Sequence, residues 1–136
     1  MRNTQPDHFP APVVVLTGAS SGIGHATALA FARAGAKLVL AARGPQALDK
    51  VAAECHLLDA QALAVPTDVT DANAMQALAD AAIKRFGRID VWINNVGIGA
   101  IGAFDATPME AHERVIAANL LGHMNGAHAV LPHFRQ

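Results

Sequence analysis

Residues 17–24 read TGASSGIG, and the elements predicted around them indicate the architecture of the chain. An apolar, largely β-branched run from Val13 to Leu16 comes first, and it is typical of a strand buried on both faces of a parallel sheet. Small residues from Gly22 to about Ala34 predict a helix directly afterwards. Glycines let a backbone turn sharply against a ligand, and a helix N-terminus presents free N–H groups to a pyrophosphate. Strand, glycine turn and helix in this order predict a nucleotide-binding loop.

The remaining chain alternates strand patterns with helix patterns. Strands are predicted at residues 37–42, 62–65 and 89–93, and helices at residues 45 to the high fifties, 71–86 and 107–134. Such alternation is typical of a parallel sheet with crossover helices. We therefore predict one α/β domain over residues 13–136, preceded by a Pro-rich lead-in at residues 1–12.

Several residues indicate where these helices begin and end and which of their faces are apolar. Gly35 and Gly87 stand where helices end, and Asp71 is a predicted N-cap. A bend is predicted near residues 119–122 of the last helix, and residues 107–110 (TPME) resemble a capping box with proline at the first helical position. The predicted apolar faces are Ile23, Ala26, Ala30 and Ala34 in the first helix, and Leu48, Val51, Ala52 and Cys55 in the second.

Composition excludes several classes of function. Charged residues make up 15% of the 136, against ~25% in an average soluble domain, and ten basic residues face eleven acidic ones. No strong field therefore favours nucleic acid or an anionic membrane. No apolar run is long enough to span a bilayer, and residues 1–12 lack the apolar core of a signal peptide. Cys55 is the only cysteine, so we expect no internal disulfide, no cysteine-based zinc site and a reducing cytoplasm.

Arg43 is the candidate residue for the choice between NADP and NAD. A dinucleotide fold usually carries an acidic residue about 20 residues beyond the glycine loop, where it binds the ribose hydroxyls. Residues 41–44 read AARG instead, and a guanidinium suits a 2′-phosphate. We therefore predict NADP in preference to NAD. The alternative is a solvated arginine at a strand end.

Four segments, in order, resemble the short-chain dehydrogenase/reductase family. Residues 17–24 resemble its TGxxxGIG loop, residues 68–69 (Asp-Val) its adenine-side pair, residues 94–97 (NNVG) its NNAG element, and residues 119–122 the asparagine segment of a long helix. The resemblance implies a Rossmann-type doubly wound parallel sheet with strand order 3-2-1-4, without the C-terminal strands of the family fold. The cofactor-binding residues that it implies are Gly18, Ser20, Ser21, Gly22, Ile23, Gly24, Arg43, Asp68, Val69, Asn95, Val96 and Gly97.

The same resemblance implies hydride transfer between NADP and an alcohol/carbonyl pair. In the family, a serine on a fifth strand and a Tyr-x-x-x-Lys pair complete the catalytic group, but this chain has no tyrosine and its only serines are Ser20 and Ser21. Only Asn119 carries over as a catalytic residue, as the group that holds a water in a proton relay. Val96 replaces the usual alanine. We expect the chain to be the cofactor-binding half of a longer enzyme and to be inactive alone.

Plainer interpretations stay open for several of these residues. Asp68 could cap a turn, Asn94 and Asn95 could simply form one, and the scattered histidines fit ordinary polar or partly buried positions. The last helix could pack against a second subunit, giving a homo-oligomer, or could cover the sheet. Two other classes of protein also remain: a non-catalytic dinucleotide-binding module, and an inactive structural fragment that dimerises through the fourth strand and the last helix.

Overall fold

Strands and helices alternate along residues 10–136, the part of the chain that this computed structural model describes. Residues 1–9, which make up most of the predicted lead-in, lie outside the described residues. The strands are β1 (Val13–Thr17), β2 (Lys37–Ala42), β3 (Ala62–Pro66) and β4 (Val91–Ile93). The helices are α1 (Gly22–Arg33), α2 (Pro45–Leu57), α3 (Ala72–Phe86), α4 (Met109–Ile116) and α5 (Gly122–Phe134), with a 3-10 turn at Phe104–Ala106 and a π-helical turn at Ala117–Leu121.

The four strands form one parallel sheet in the order β3-β2-β1-β4. In the centre of this sheet Val15 pairs with Val39 on one side and with Trp92 on the other. This arrangement confirms the predicted Rossmann-type α/β sheet and its strand order.

Apolar side chains leave the sheet on both faces, as the continuous apolar strands predict. On one face, Leu16 and Leu40 pack with the buried sides of α1 and α2. On the other face, Val15 and Val39 pack with α3 and α5. The predicted stripe of α2 is buried, Gly35 and Gly87 adopt positive φ, and the side chain of Asp71 caps α3. These contacts hold β1 and β2 between two helical layers.

The edge strand β4 is three residues long, shorter than the predicted 89–93, and each of its ends is tied to β1. At the amino end, the backbone N–H of Val13 donates to Oδ2 of Asp90 at 2.8 Å. At the carboxyl end, Oγ1 of Thr17 donates to the carbonyl of Ile93 at 3.3 Å and accepts the N–H of Asn95 at 3.0 Å. The residues after β4 therefore begin at a fixed position relative to β1.

The predicted apolar face of α1 is wrong. Ile23, Ala26, Ala30 and Ala34 are all exposed, and Ile23 is 79% exposed. The buried residues are Gly24, Ala28 and Ala32. Because alanines occupy every side of this helix, the sequence carries little information about its rotation, and the close approach at Gly24 decides which side meets the sheet.

The predicted capping box before α4 is also wrong. The helix begins at Met109, and Pro108, with φ −58° and ψ 141°, lies outside it. The hydroxyl of Thr107 donates to the carbonyl of Ala103 at 2.9 Å, so it closes the preceding 3-10 turn instead of capping α4. Near residues 119–122, where a bend was predicted, the structure has a π-helical turn over Ala117–Leu121.

Among residues 10–136, no helix combines the length and the apolar character that a membrane crossing requires.

Candidate functional site

A cavity of about 730 Å³ lies at the carboxyl ends of the strands. This is the edge at which open α/β sheets bind ligands. The structure brings ten of the predicted site residues into its lining, namely Gly18, Ser20, Ser21, Ile23, Arg43, Asp68, Val69, Asn95, Val96 and Gly97. Segments that are far apart in the sequence therefore form one site.

The glycine turn shapes one wall of this cavity. Gly18 has φ +65° and Gly22 has φ +55°, a region that L side chains rarely adopt. A Cβ at Gly24 would overlap the carbonyl oxygen of Gly18, so the turn and α1 approach as closely as glycine allows. Ser21 is the N-cap of α1, yet its side chain makes no capping hydrogen bond. The N-terminus of α1 thus keeps free N–H groups beside the cavity.

Three predicted residues do not line the cavity: Gly22, Gly24 and Asn119. Gly22 supplies a positive φ and Gly24 supplies close packing, so both shape the wall without forming it. The side chain of Asn119 binds the backbone of Ile98 twice, accepting the N–H at 2.8 Å and donating to the carbonyl at 2.7 Å. It anchors a cavity residue, and its catalytic role stays a prediction.

Two charged residues stand on the side of the cavity beyond β2 and β3. Arg43 is exposed and lines the opening, as the prediction for it requires. Oδ1 of Asp68 accepts the N–H of Thr70 at 2.9 Å and the hydroxyl of Thr70 at 2.8 Å. These hydrogen bonds, with a smaller contribution from the charge of Arg43, hold the pKa of Asp68 below its ordinary value. Asp68 therefore caps a local turn and also lines the cavity.

The opposite wall is the loop that follows β4. Nδ2 of Asn95 donates to the carbonyl of Gly18 at 3.3 Å, which joins this loop to the glycine turn. A Cβ at Gly18 would lie 3.0 Å from that same Nδ2 and 3.3 Å from Cγ2 of Val96. The two walls therefore meet at Gly18, where only a glycine fits without displacement.

Seven lining residues were not predicted: Ala42, Thr67, Thr70, Ile98, Arg114, Ala117 and Ala118. Arg114 is the one among them that adds charge, and it is exposed on α4. The only sequence signal for it is its separation of three and four residues from Ala117 and Ala118, which places all three on one helix face. Which face meets the cavity depends on how α4 packs, and the sequence does not specify that packing.

Comparisons with known proteins agree with this geometry. The family described as short chain dehydrogenase matches residues 12–136. An uncharacterized oxidoreductase of Listeria monocytogenes is 42% identical over 122 residues, covering 90% of this chain and 49% of that protein. The solved alcohol dehydrogenase of Thermococcus sibiricus superposes with a TM-score of 0.89 at 33% identity, covering 93% of this chain and 54% of that one. A short chain dehydrogenase/reductase of Burkholderia phymatum gives 0.88 at 36% identity, covering 92% and 44%.

The sheet order and a site at its carboxyl edge define a Rossmann-type α/β protein. Within that class, the chain belongs to the short chain dehydrogenase family, a family of oxidoreductases. It spans about half the length of the Listeria monocytogenes and Thermococcus sibiricus relatives.

Proposed function

We propose that the cavity binds a nicotinamide dinucleotide, NADP in preference to NAD, and that the chain is the cofactor-binding part of an oxidoreductase that interconverts an alcohol and a carbonyl. The observation that carries the proposal is a single cavity bounded by the N-terminus of α1 at one point and by Arg43 at another. A pyrophosphate suits the first position and a 2′-phosphate suits the second.

Two solved relatives support this class of cofactor. The Thermococcus sibiricus alcohol dehydrogenase was solved with 5-hydroxy-NADP, and the Burkholderia phymatum protein was solved with NAD. The preference for NADP in this chain rests on Arg43 and on the lack of an acidic residue at the end of β2.

The lining residues fit such a dinucleotide in parts. A side chain at Gly18 would crowd Asn95 and Val96, so glycine at this position lets the turn and the loop after β4 lie close together as two walls of the cavity. In the proposed complex, the turn and the free N–H groups of α1 hold the pyrophosphate. Asp68 and Val69 lie beside the adenosine part, and the loop after β4 holds the nicotinamide part. The bound dinucleotide supplies the hydride chemistry, whereas these residues orient it.

A titration with the 136-residue chain tests the proposal. We expect saturable binding of NADPH, seen as a change in cofactor fluorescence, with weaker binding of NADH. Arg43→Asp should raise the Kd for NADPH about tenfold, the scale of a charge-assisted hydrogen bond, and leave the Kd for NADH nearly unchanged. Arg135→Asp, a charge reversal at an exposed residue after α5, is the matched control. No binding of either dinucleotide would overturn the proposal, and an unchanged preference in Arg43→Asp would remove the assignment of NADP.

A non-catalytic dinucleotide-binding module is the second candidate, because the cavity, the glycine turn and Arg43 account for binding alone. We expect the chain alone to bind NADPH without oxidising it in the presence of aldehydes or ketones, since no tyrosine acid/base is present. The reading frame beyond codon 136 separates the two candidates. Continuation into a serine-bearing strand and a Tyr-x-x-x-Lys helix supports the enzyme, and a stop codon supports the module.

We also propose self-association through α4 and α5. Large apolar side chains are exposed along these helices and the π-helical turn between them, at Ile116, Leu120, Met124, Leu131 and Phe134. Sedimentation velocity should then show a dimer or a larger oligomer, and a monomer at every concentration would contradict this. A cytoplasmic location and a lack of nucleic-acid binding stay predictions.

A further inference from the structure

His123, near the start of α5, reaches back to the loop that follows β4. Its Nε2 lies 2.8 Å from the carbonyl oxygen of Val96. Because a carbonyl oxygen only accepts hydrogen bonds, Nε2 carries the hydrogen and donates it. His123 is half-buried and does not line the cavity, whereas Val96 does. His123 therefore contacts a residue of the cavity wall without lining the cavity itself.

In a second contact, the loop donates a hydrogen bond to helix α5. Nδ2 of Asn94 donates to the backbone carbonyl of His123 at 3.3 Å, and Oδ1 of Asn94 accepts from Nε1 of Trp92 at 2.9 Å. A Cβ at Gly126 would overlap Oδ1 of Asn94 and would lie 2.8 Å from Nε1 of Trp92. Helix α5 therefore packs closely against the loop. This packing positions the imidazole of His123 relative to Val96.

The hydrogen bond from His123 falls between two further side-chain hydrogen-bond sites on the backbone of this loop. Thr17 holds the N–H of Asn95, and Asn119 holds both backbone groups of Ile98. Val96 lies between them, and its Cγ2 approaches Gly18 so closely that a Cβ there would lie 3.3 Å away. A small rotation of the Val96 peptide would therefore move the cavity wall beside the glycine turn.

We propose that His123 is a positioning residue that fixes the peptide of Val96 and, through it, the part of the cavity on the β4 side of the glycine turn. The inference rests on the proposed function, because it assigns the nicotinamide part of the dinucleotide to this region. Arg43 and Asp68 follow β2 and β3, which lie on the other side of β1 from β4. His123 should therefore affect one end of the bound dinucleotide and not the other.

The hydrogen bond itself can be tested without any cofactor. The ¹⁵N shift of the Gly97 amide responds to a hydrogen bond at the preceding carbonyl, that of Val96. His123→Leu should shift this resonance, whereas His123→Gln should restore it, because the Nε2 of glutamine can donate at a similar reach. His128→Leu, at an exposed residue of the same helix, is the matched control and should leave the resonance in place. No shift in His123→Leu, or no restoration in His123→Gln, would overturn the inference.

Binding then tests the consequence for the cavity. We expect His123→Leu to raise the Kd for NADPH about fivefold, the scale of one net hydrogen bond, with His123→Gln near the unsubstituted chain. The Kd for adenosine 2′,5′-bisphosphate, which lacks the nicotinamide part, should stay unchanged in both variants. A general loss of structure would raise the Kd for both ligands equally, and this result would contradict the positioning role. If the unsubstituted chain binds neither ligand, the proposed function fails, and the Gly97 resonance still decides whether His123 holds Val96.

Discussion

The turn after β1 and the loop after β4 form two walls of one cavity, but different interactions hold them. Every residue of β1 is buried, and its turn is shaped by positive-φ glycines and close backbone contact. All three residues of β4 are only half-buried, and the backbone of its loop is held by hydrogen bonds with the side chains of Thr17, Asn119 and His123. Steric fit therefore limits the first wall, whereas the second wall can be loosened by removing single hydrogen bonds.

Leu16 and Ile93 pair across β1 and β4, so alanine at each position compares the two walls directly. Leu16 is fully buried, and Leu16→Ala should lower the free energy of unfolding by about 2–5 kcal/mol through lost burial and a cavity. Ile93→Ala should lower it by less than half as much, since Ile93 is already half-exposed. Urea unfolding measures both, with Leu57→Ala, 86% exposed, as the control. Equal losses at Leu16 and Ile93 would contradict the contrast.

Gly24→Ala tests the steric limit of the turn. Its new methyl group would overlap the carbonyl of Gly18, so we expect a loss of about 1–3 kcal/mol in the free energy of unfolding. Gly99→Ala adds the same methyl group in open space, in a loop position without positive φ, and should change stability little. The contact with Gly18 would not limit the turn if the two variants unfolded at the same urea concentration.

Thr17→Val removes the hydroxyl that ties the second wall to the first. The N–H of Asn95 and the carbonyl of Ile93 would both lose a partner, at a cost of about 1–2 kcal/mol. Amide hydrogen exchange of residues 94–98 should become faster in this variant. Thr17→Ser keeps the hydroxyl and should retain slow exchange, and fast exchange in both variants would contradict the role assigned to the hydroxyl.

Asp90 gives the smallest expected effect, and it depends on pH. Burial raises the pKa of Asp90, but the hydrogen bonds from Arg88 and from the N–H of Val13, with the charge of Arg88, outweigh it and lower the pKa overall. A lowered pKa in the folded chain means that the carboxylate stabilises the fold above the unfolded-state pKa, about 3.9, and that this stabilisation is lost as the pH falls further. Asp90→Asn should therefore cost less than about 1 kcal/mol at neutral pH.

Thermal unfolding between pH 7 and pH 2 measures the difference in stability between Asp90→Asn and the unsubstituted chain. The melting temperatures of Asp90→Asn and the unsubstituted chain should converge below about pH 4. Asp49→Asn, at an exposed residue of α2, serves as the reference for a generic loss of charge. A gap that stays constant down to pH 2 would rule out the carboxylate as its cause.

Local signals predicted most of the fold correctly. The apolar strands, the stripe of α2 and the cap at Asp71 depend on nearby residues, and the structure confirms them. The face of α1 was wrong because its many alanines give the helix no preferred side. The capping box failed because Thr107 has a nearer acceptor in the carbonyl of Ala103, which a 3-10 turn brings to it.

The site was predictable only where its chemistry is local. The glycine turn, Asp68 and residues 95–97 are recognisable as short segments, and the cavity brings them together. Arg114 and His123 were not predicted as site residues, because their positions depend on how α4 and α5 pack against the loop. Contacts between residues so far apart in the chain leave no periodic signal in a single sequence.

The π-helical turn at Ala117–Leu121 holds one residue more than the α-helix would need over the same rise. Each residue of an α-helix advances the direction of its side chain by about 100°. Deleting one residue there would leave a continuous helix but would turn His123 away from Val96. It would also turn Asn125, whose Nδ2 donates to the carbonyl of Val69 at 2.9 Å, away from that carbonyl. The one additional residue of the π-helical turn therefore determines which side chains of α5 face the two ends of the cavity.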